Sequence, residues 1–399
     1  MRSLKRFFGE YLLLNCFIFG CVSLLSLVIL NVSFFDPFTE AFHDFTLTDL
    51  YYTKAKDRNT IYKDNIVLVN LENRNRKEIA LLLQQLQTGK PKTIAIDAVF
   101  AGRKNEADSL LQKTFQQNNN YVLSYIADFE KPEQTIYADS FFTKSSSAGY
   151  ANIVGDAAEF STIRYYYPFS NNQEAFSSSI LKHYDSTTYQ KLKKRAGQKT
   201  EIHYFGNLSN FQFYDFDEVM DSAFVAENIN DKIVLIGFLG LPSKRNTVQL
   251  DEDKLFTPLN PRLSGRSYPD MYGTVIHANI LRMALEDDHI RVIPSWLTAI
   301  ISFLLIWFIL PLICGLFFKG DLWFNSVGTL LQLIGGVVIV FITLISYSSF
   351  QVKFDPGLVL ACLVLLPTFI NLYEVLLNFL RHKLKLRFSS AFLGTNKHD

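Results

Sequence analysis

Long apolar stretches alternate with charged, mixed stretches along the chain. Four segments are mainly apolar over about twenty residues, the length that crosses a bilayer: residues 11–30, 293–317, 323–346 and 357–380. The first two of them enclose a long stretch with many charges, residues 31–292. The pattern predicts a membrane protein with one N-terminal helix, three C-terminal helices and one large globular domain.

The first apolar segment has two alternative interpretations. A cleaved signal peptide needs a small-x-small site after its apolar core, and the sequence Asn31-Val-Ser-Phe-Phe offers none. A lipoprotein would turn polar after its cysteine, whereas the chain stays apolar for nine residues after Cys21. We therefore predict an uncleaved membrane helix over residues 11–30.

Basic residues next to the four predicted helices indicate how the chain is oriented. They are Arg2, Lys5, Arg6, Lys319, Arg381, Lys383, Lys385 and Arg387. With four crossings all of them fall on one side of the membrane, and the positive-inside rule makes that side the cytoplasm. We expect a bacterial inner-membrane protein. Its N-terminus (1–10) and basic tail (381–399) are cytoplasmic, and residues 31–292 are extracytoplasmic.

Within residues 31–292, short continuous apolar runs alternate with apolar positions at helical spacing. The runs predict buried strands at 65–71, 92–97, 121–127 and 231–237. The helical spacing predicts helices at 76–87, 106–116, 176–184 and 274–285. Two further segments, 149–153 and 162–167, are typical of an antiparallel hairpin. The predicted fold is an α/β domain with a mixed, largely parallel sheet covered on both faces.

Composition and charge exclude several classes of function. The net charge is +1, which argues against a nucleic-acid binder held by a global basic field. All four cysteines lie in the apolar segments, so the globular domain has no disulfide and no thiolate metal site. Phosphate-loop, zinc-protease, serine-hydrolase and kinase motifs are absent from the sequence. We therefore predict a protein that is not an enzyme and that needs no cofactor or metal.

Several short patterns follow one another in a fixed order through the globular domain. They begin at Asp64-Asn-Ile-Val-Leu-Val, Lys92-Thr-Ile-Ala-Ile-Asp, Glu106-Ala-Asp-Ser-Leu, Gly149-Tyr-Ala-Asn-Ile, Thr162-Ile-Arg and Lys232-Ile-Val-Leu-Ile-Gly, and they close with Thr257-Pro, Gly273 and His277-Ala-Asn. This ordered set, followed by three apolar segments, resembles the type-two CHASE domain (cyclase/histidine-kinase-associated sensory, extracellular) over about residues 36–380. The resemblance implies a sensory domain outside the membrane.

The sequence also departs from that family. A Gly-Arg-Trp-Pro-Trp-like stretch that relatives often carry is missing near residues 74–77. Relatives usually carry a cyclase or kinase after the last membrane helix, and here 19 residues follow Leu380. We therefore expect the output to come from a partner in trans.

A ligand site is predicted at one edge of the sheet, because ligands of open parallel sheets bind beyond the carboxyl ends of the strands. Asn70 and Asp97 end the first two predicted strands, and a long loop brings in Asp251 and Thr257. His277 lies one turn into the last predicted helix. The alternative stays open that the acidic residues cap helices or order the loop and that His277 only packs.

Polar residues inside the predicted membrane helices are a second set of candidates. Asn15 and Glu374 lie in the same leaflet, and Gln332 lies near the midplane. They hold helices together or form part of an ion or proton relay. The basic tail is a topology signal or a site for anionic lipid.

Three functions remain as hypotheses from the sequence. The leading one is a membrane-anchored extracytoplasmic sensor that acts on a membrane or envelope protein partner. The second is a structural subunit of a bacterial envelope complex, and the third is a small transporter or ion pathway. A homo-oligomer is compatible with all three, and none of them involves nucleic acid.

Overall fold

A computed structural model describes most of the chain, and the description is confined to the following ranges: 8–31, 46–52, 59–103, 107–143, 146–153, 162–243, 253–260, 268–385 and 390–393. Two compact units make up the molecule. The globular unit is Asp49–Ile290, and the membrane unit consists of Met1–Thr48 with Arg291–Asp399.

Twelve helices are described in this part of the chain. They are α1 (Glu10–Asn31), α2 (Leu47–Leu50), α3 (Arg76–Thr88), α4 (Ala107–Gln117), α5 (Ser140–Thr143), α6 (Phe176–Tyr184), α7 (Ser186–Lys193), α8 (Phe216–Met220), α9 (Gly273–Leu285), α10 (Ser295–Phe317), α11 (Asp321–Phe350) and α12 (Gly357–His382). Short 3-10 helices lie at Pro132–Gln134, Leu208–Asn210 and Ala226–Ile229.

The strands are distributed between one main sheet and several small pairs. They are β1 (Tyr62–Asn70), β2 (Thr93–Ile96), β3 (Tyr121–Tyr125), β4 (Ser147–Tyr150), β5 (Tyr165–Tyr166), β6 (Phe169–Ser170), β7 (Gln173–Glu174), β8 (Thr200–Glu201), β9 (Phe211–Tyr214), β10 (Ile233–Gly237), β11 (Lys254–Leu255), β12 (Met271–Tyr272), β13 (Arg291–Val292) and β14 (Val352–Lys353).

The main sheet has six strands in the order β4-β3-β2-β10-β1-β9, and all five pairings are parallel. Helices α3 and α4 cover one face, and α6 and α9 cover the other. Every residue of β2, β3 and β10 is buried, as expected for strands covered on both sides. The prediction of a largely parallel sheet with helices is confirmed.

The predicted antiparallel hairpin is wrong. β4 pairs in parallel with β3 as an edge of the main sheet, whereas β5 pairs with β8 in a separate two-stranded sheet. A close approach explains the position of β4, because a Cβ on Gly149 would lie 2.7 Å from the Ala175 carbonyl oxygen at the start of α6. Local alternation predicted strands here, but the partner of each strand is set by this long-range packing.

Helix α3 shows why the local predictions succeed. Asn75 accepts hydrogen bonds from the N–H groups of Lys77 and Glu78, and the Glu78 carboxylate accepts one from the Asn75 N–H. This capping box satisfies N–H groups that a helix start leaves open. Residues spaced three and four apart on one face, including Leu82 and Leu86, are buried in the core below the sheet.

The membrane unit contains the four helices that the apolar segments predict, α1, α10, α11 and α12, each long and apolar enough to cross a bilayer. Helix α1 packs against α10 and α12, with Leu14 and Ile18 fully buried. At one end of the bundle the Phe392 ring is buried against Phe317, Phe318 and Tyr373.

Candidate functional site

Asn70 lies at the carboxyl end of β1, and its amide is fully engaged. Its Nδ2 donates to Asp215 Oδ1 at 2.8 Å and to the Gly240 carbonyl at 2.7 Å. Its Oδ1 accepts from the N–H groups of Leu239 at 2.9 Å and Glu72 at 3.1 Å. These four bonds use the full hydrogen-bonding capacity of the Asn70 side chain. They connect β1 to the turn after β10 and to the start of α8.

Asp97 follows β2 and contacts the first turn of α9. Thr274 Oγ1 donates to Asp97 Oδ2 at 2.8 Å. A Cβ on Gly237, at the end of β10, would lie 2.0 Å from the same Oγ1, so this approach of helix to strand requires glycine. Asp97 is half-buried at the carboxyl end of β2.

His277 is buried one turn further along α9. The Phe176 ring meets its imidazole edge-on, with ring centroids 5.3 Å apart. Burial lowers the pKa of His277, so the imidazole stays neutral, and the Asp97 carboxylate opposes that shift only in part. Its Nδ1 has no hydrogen-bond partner among the described residues.

Thr257 is tied to Asp270, not to Asp97. Its N–H and its hydroxyl donate to the two Asp270 carboxylate oxygens at 2.8 and 2.6 Å. Burial raises the pKa of Asp270 to about 6. Asp251 lies outside the described residues, so the convergence predicted for the long loop stays a prediction. Among the residues that the structure describes, no group of three or more His, Cys, Asp or Glu could hold a metal ion.

A polar cleft of about 540 Å³ lies at the opposite, amino-terminal edge of the sheet. Its lining residues are Gln87, Lys90, Pro91, Lys92, Asn118, Asn119, Asn120 and His183. The C-terminal ends of α3, α4 and α6 converge here, and helix C-termini favour cations. The two lysines of the lining therefore offset the negative ends of these helix dipoles. Sequence analysis missed this cleft.

The end of α9 carries a dense group of charges that sequence analysis also missed. Glu286 caps the helix, and Asp287 follows it in the left-handed region with φ 55°. The N–H of Asp288 returns to the Met283 carbonyl at 3.0 Å, which closes the last turn. We call residues 286–290, which lead out of the globular unit, the exit turn.

One short stretch, residues 202–206, contacts both the exit turn and Tyr52, which follows α2 where the chain enters the domain. We call it the bridging segment. His203 Nδ1 lies 2.9 Å from Asp288 Oδ2 in the exit turn. The N–H of Tyr204 donates to the Tyr52 hydroxyl at 3.3 Å, and Tyr52 follows α2. The Asn279 amide of α9 accepts from the N–H groups of Phe205 and Gly206 at 2.6 and 3.1 Å.

A buried ion pair fastens α2 to the same region. Arg164 donates to both carboxylate oxygens of Asp49, at 3.2 and 2.6 Å, and each side chain is only 6% exposed. The backbone of Arg164 accepts from the N–H of Ile202, the first residue of the bridging segment. The arginine of the Thr162-Ile-Arg pattern thus holds α2 to the rest of the domain.

In the membrane unit two of the three polar candidates donate hydrogen bonds to a neighbouring helix. Asn15 Nδ2 of α1 donates to the Phe303 carbonyl of α10 at 2.9 Å. Gln332 Nε2 of α11 donates to the Leu363 carbonyl of α12 at 2.7 Å. Glu374 is half-buried on α12. Hydrogen bonds of this kind hold membrane helices together; a relay stays a prediction that these contacts do not test.

A small parallel sheet lies just before α10. β13 pairs with β14, which belongs to the hairpin between α11 and α12. The N–H of Arg291 donates to the Gln351 carbonyl at 2.7 Å, and that of Ile293 donates to the Lys353 carbonyl at 2.8 Å. We call this pair the membrane clamp, because it ties the start of α10 to the ends of two other membrane helices.

Comparison with known families identifies the class of protein. The family model of the CHASE2 domain matches residues 26–316, so the chain belongs to the CHASE2 family. No curated protein and no solved structure matches the chain. CHASE2 is a sensory extracellular domain of membrane proteins. The globular unit is therefore an extracytoplasmic sensory domain, and the chain is a multi-pass membrane protein of signal transduction.

Proposed function

We propose that this chain is a non-enzymatic signal-input protein of the inner membrane that acts on a partner in trans. Both termini lie in the cytoplasm, and the CHASE2 domain lies outside. The observation that carries the proposal is the path of contacts at the end of the sensory domain. The bridging segment joins the incoming helix α2 to α9 and the exit turn, and the membrane clamp begins at the next residue, Arg291.

This path gives a physical route for a signal. Helix α9 is buried along almost its whole length between the sheet and α6, so a change in sheet packing reaches it directly. A shift of α9 moves the exit turn, and through the chain it moves the strand of the clamp. Since the clamp also holds the α11–α12 hairpin, three membrane helices respond together.

The membrane unit offers a partner a large surface. Only 11% of the apolar stretch of α11 is buried by the rest of the chain, compared with 39% for α10 and for α12. Its outward side chains include Leu333, Val337 and Phe341, each more than 60% exposed. Lipid covers such a face in a lone chain, and a partner's membrane helix would cover it in a complex.

The test combines partner identification with a change in the clamp. Arg291→Pro removes the N–H that donates to Gln351. The matched control is Val292→Pro, because alternate residues of a parallel strand point their N–H away from the partner strand. The full chain is cross-linked mildly in native membranes, solubilised and purified.

We expect a kinase, cyclase or regulator at stoichiometric yield with the wild type and the control, and at least a threefold lower yield with Arg291→Pro. Stoichiometric envelope or secretion components would support the structural-subunit alternative and overturn the proposal. Recovery of the chain alone would overturn it as well.

A further inference from the structure

We infer that the polar cleft at the amino-terminal edge of the sheet binds a sugar acid, a molecule with several hydroxyl groups and one carboxylate. The inference rests on the proposed function, because it names the class of ligand that this sensor reads. The chemistry of the lining, the backbone at Lys90 and the position of the cleft beside the exit path support it.

The cleft has the size and the chemistry of a sugar site. Its volume of about 540 Å³ lies within the range of small-ligand pockets. Four of its lining residues carry a carboxamide: Gln87, Asn118, Asn119 and Asn120. A carboxamide offers both a donor and an acceptor, as a hydroxyl group does. The lining can therefore pair with several hydroxyl groups at once.

The same lining disfavours other classes of small ligand. Among the lining residues there is no acidic side chain to hold the ammonium of an amino acid, and no Phe, Tyr or Trp ring on which a nucleobase would stack. Phosphate groups favour helix N-termini, whereas three helix C-termini meet here. Each of these ends carries about half a negative charge, so Lys90 and Lys92 leave the cleft weakly positive. That balance favours one carboxylate over a polyanion.

Lys90 has a backbone conformation that its residue type seldom adopts. Its φ is 51°, in the left-handed region that favours glycine. The glycine of this turn is Gly89, where a Cβ would lie 2.4 Å from the Ala226 carbonyl oxygen. The end of α3 thus has its glycine at the close approach and a lysine at the strained position. Strained residues cluster at ligand sites, which supports a ligand role for the Lys90 ammonium.

Hydrogen bonds fix several lining side chains in advance. Gln87 Nε2 donates to Asn120 Oδ1 at 2.8 Å, and Asn120 Nδ2 donates to the Pro91 carbonyl at 2.9 Å. His183 Nε2 lies 2.6 Å from Ser147 Oγ of β4. Burial lowers the pKa of His183, so the imidazole is neutral at pH 7 and suits a hydroxyl group. A lining that is fixed in advance loses little entropy when a ligand binds.

The cleft lies on the side of the domain where the chain leaves it. Helix α9 ends beside the start of β1, where Arg282 lies 3.2 Å from Asp64. His183 belongs to the last turn of α6, and α7 follows directly. Lys191 of α7 lies 2.8 Å from Asp287 Oδ2 in the exit turn. A ligand that shifts the end of α6 therefore reaches the exit turn through α7.

The test is a binding titration of the full chain in lipid nanodiscs at neutral pH, followed by ligand-observed NMR. The probes are D-glucuronate and N-acetylmuramate as sugar acids, D-glucose as a sugar without a carboxylate, and acetate as a carboxylate without hydroxyl groups. We expect a sugar acid to bind with a Kd of about 1 mM or tighter, and glucose and acetate to bind about tenfold more weakly. The tighter of the two acids distinguishes a free uronic acid from a cell-wall sugar.

Variants of the lining assign the site. Lys90→Gln should weaken binding of the acid about tenfold and leave that of glucose unchanged, whereas Asn119→Ala should weaken both. Lys113→Gln, on an exposed position of α4 outside the lining, is the matched control and should bind as the wild type does. Lys90→Gly should lose affinity without a lower melting temperature, because glycine adopts the left-handed conformation without strain.

Failure of both sugar acids to bind would overturn the inference. Equal affinity for glucuronate and glucose would overturn it too, as would binding that survives in both Lys90→Gln and Asn119→Ala. Hydrogen exchange of the same samples tests the path, and the peptide covering residues 283–292 should change its protection about twofold or more with bound acid. Binding without that change would overturn the role of the acid as an input.

These results are separate from those for the output. If no acid binds while the partner still co-purifies, only the ligand is wrong. If an acid binds and changes the exit turn while no partner is recovered, the output in trans is wrong.

Discussion

Several residues of the sensory domain make contacts that their residue types alone do not indicate. Asn70 was predicted as a ligand residue, but its four hydrogen bonds go to the protein itself. His203 carried no signal in the sequence, because its carboxylate partner lies 85 positions further along the chain. Spacing along a sequence identifies partners within a helix or strand, and these partners meet only in the folded domain.

The ion pair between Arg164 and Asp49 gives the clearest test at this scale. Asp49→Asn removes the charge of Asp49 from the buried Arg164 guanidinium, so we expect the free energy of unfolding to fall by about 3–5 kcal/mol. Thermal unfolding of the full chain in detergent measures it. Lys182→Gln breaks the exposed pair with Glu174 and serves as the control, with an expected loss below about 1 kcal/mol. Equal losses would show that α2 is not held by this pair.

Asp270 predicts a pH dependence of stability. Its pKa of about 6 is raised above the ordinary value by burial, so the folded state binds a proton that the unfolded state releases. This group therefore makes the free energy of unfolding rise as pH falls from about 6 to about 4, by roughly 1 kcal/mol per pH unit.

Asp270→Asn imitates the protonated form and should remove that contribution. Melting temperatures of the wild type and the variant, compared at intervals between pH 4.5 and 7, provide the measurement. Parallel curves for the two proteins would contradict the assignment.

At the scale of elements, the contact between β10 and α9 decides how tightly the sensory domain is packed. Gly237→Ala would place a methyl group 2.0 Å from Thr274 Oγ1, and such overpacking costs about 1–3 kcal/mol. Thr274→Ala removes the conflicting atom and loses only the hydrogen bond to Asp97, about 1 kcal/mol.

The double variant should therefore be more stable than the sum of the two losses implies, by about 1 kcal/mol or more. Chemical denaturation of the three variants tests this coupling. Strict additivity would mean that the helix moves away from the strand at no cost.

Elements were predictable where one local pattern decides them. Helix α6 was predicted with its observed bounds, and α3 within one residue, because the spacing of apolar positions lies within each element itself. The hairpin was predicted wrongly, because pairing of β4 depends on Gly149 meeting α6 and pairing of β5 depends on β8. The ligand site stays a prediction: Thr257 is bonded to Asp270, and Asp251 lies outside the described residues.

At the scale of the whole molecule, the transporter alternative makes a distinct prediction about Glu374. If this side chain only holds helices together, Glu374→Gln should change stability by less than about 1–2 kcal/mol. Proteoliposomes loaded with a pH-sensitive dye and containing the wild type should then show no more proton flux than empty vesicles. Flux in the wild type that the substitution abolishes would favour an ion pathway over a signal-input protein.

The strand order of the main sheet has a consequence for how the chain is made. Strand β10 lies in the middle of the sheet, and Ile66 of β1 pairs with Ile233. Until β10 has crossed the membrane, β2, β3 and β4 have no contact with β1 through the sheet, and two strand edges stay open. Open edges promote aggregation, and distant pairings fold slowly. Export that stalls before Gly237 would therefore leave a sensory domain in two unjoined parts.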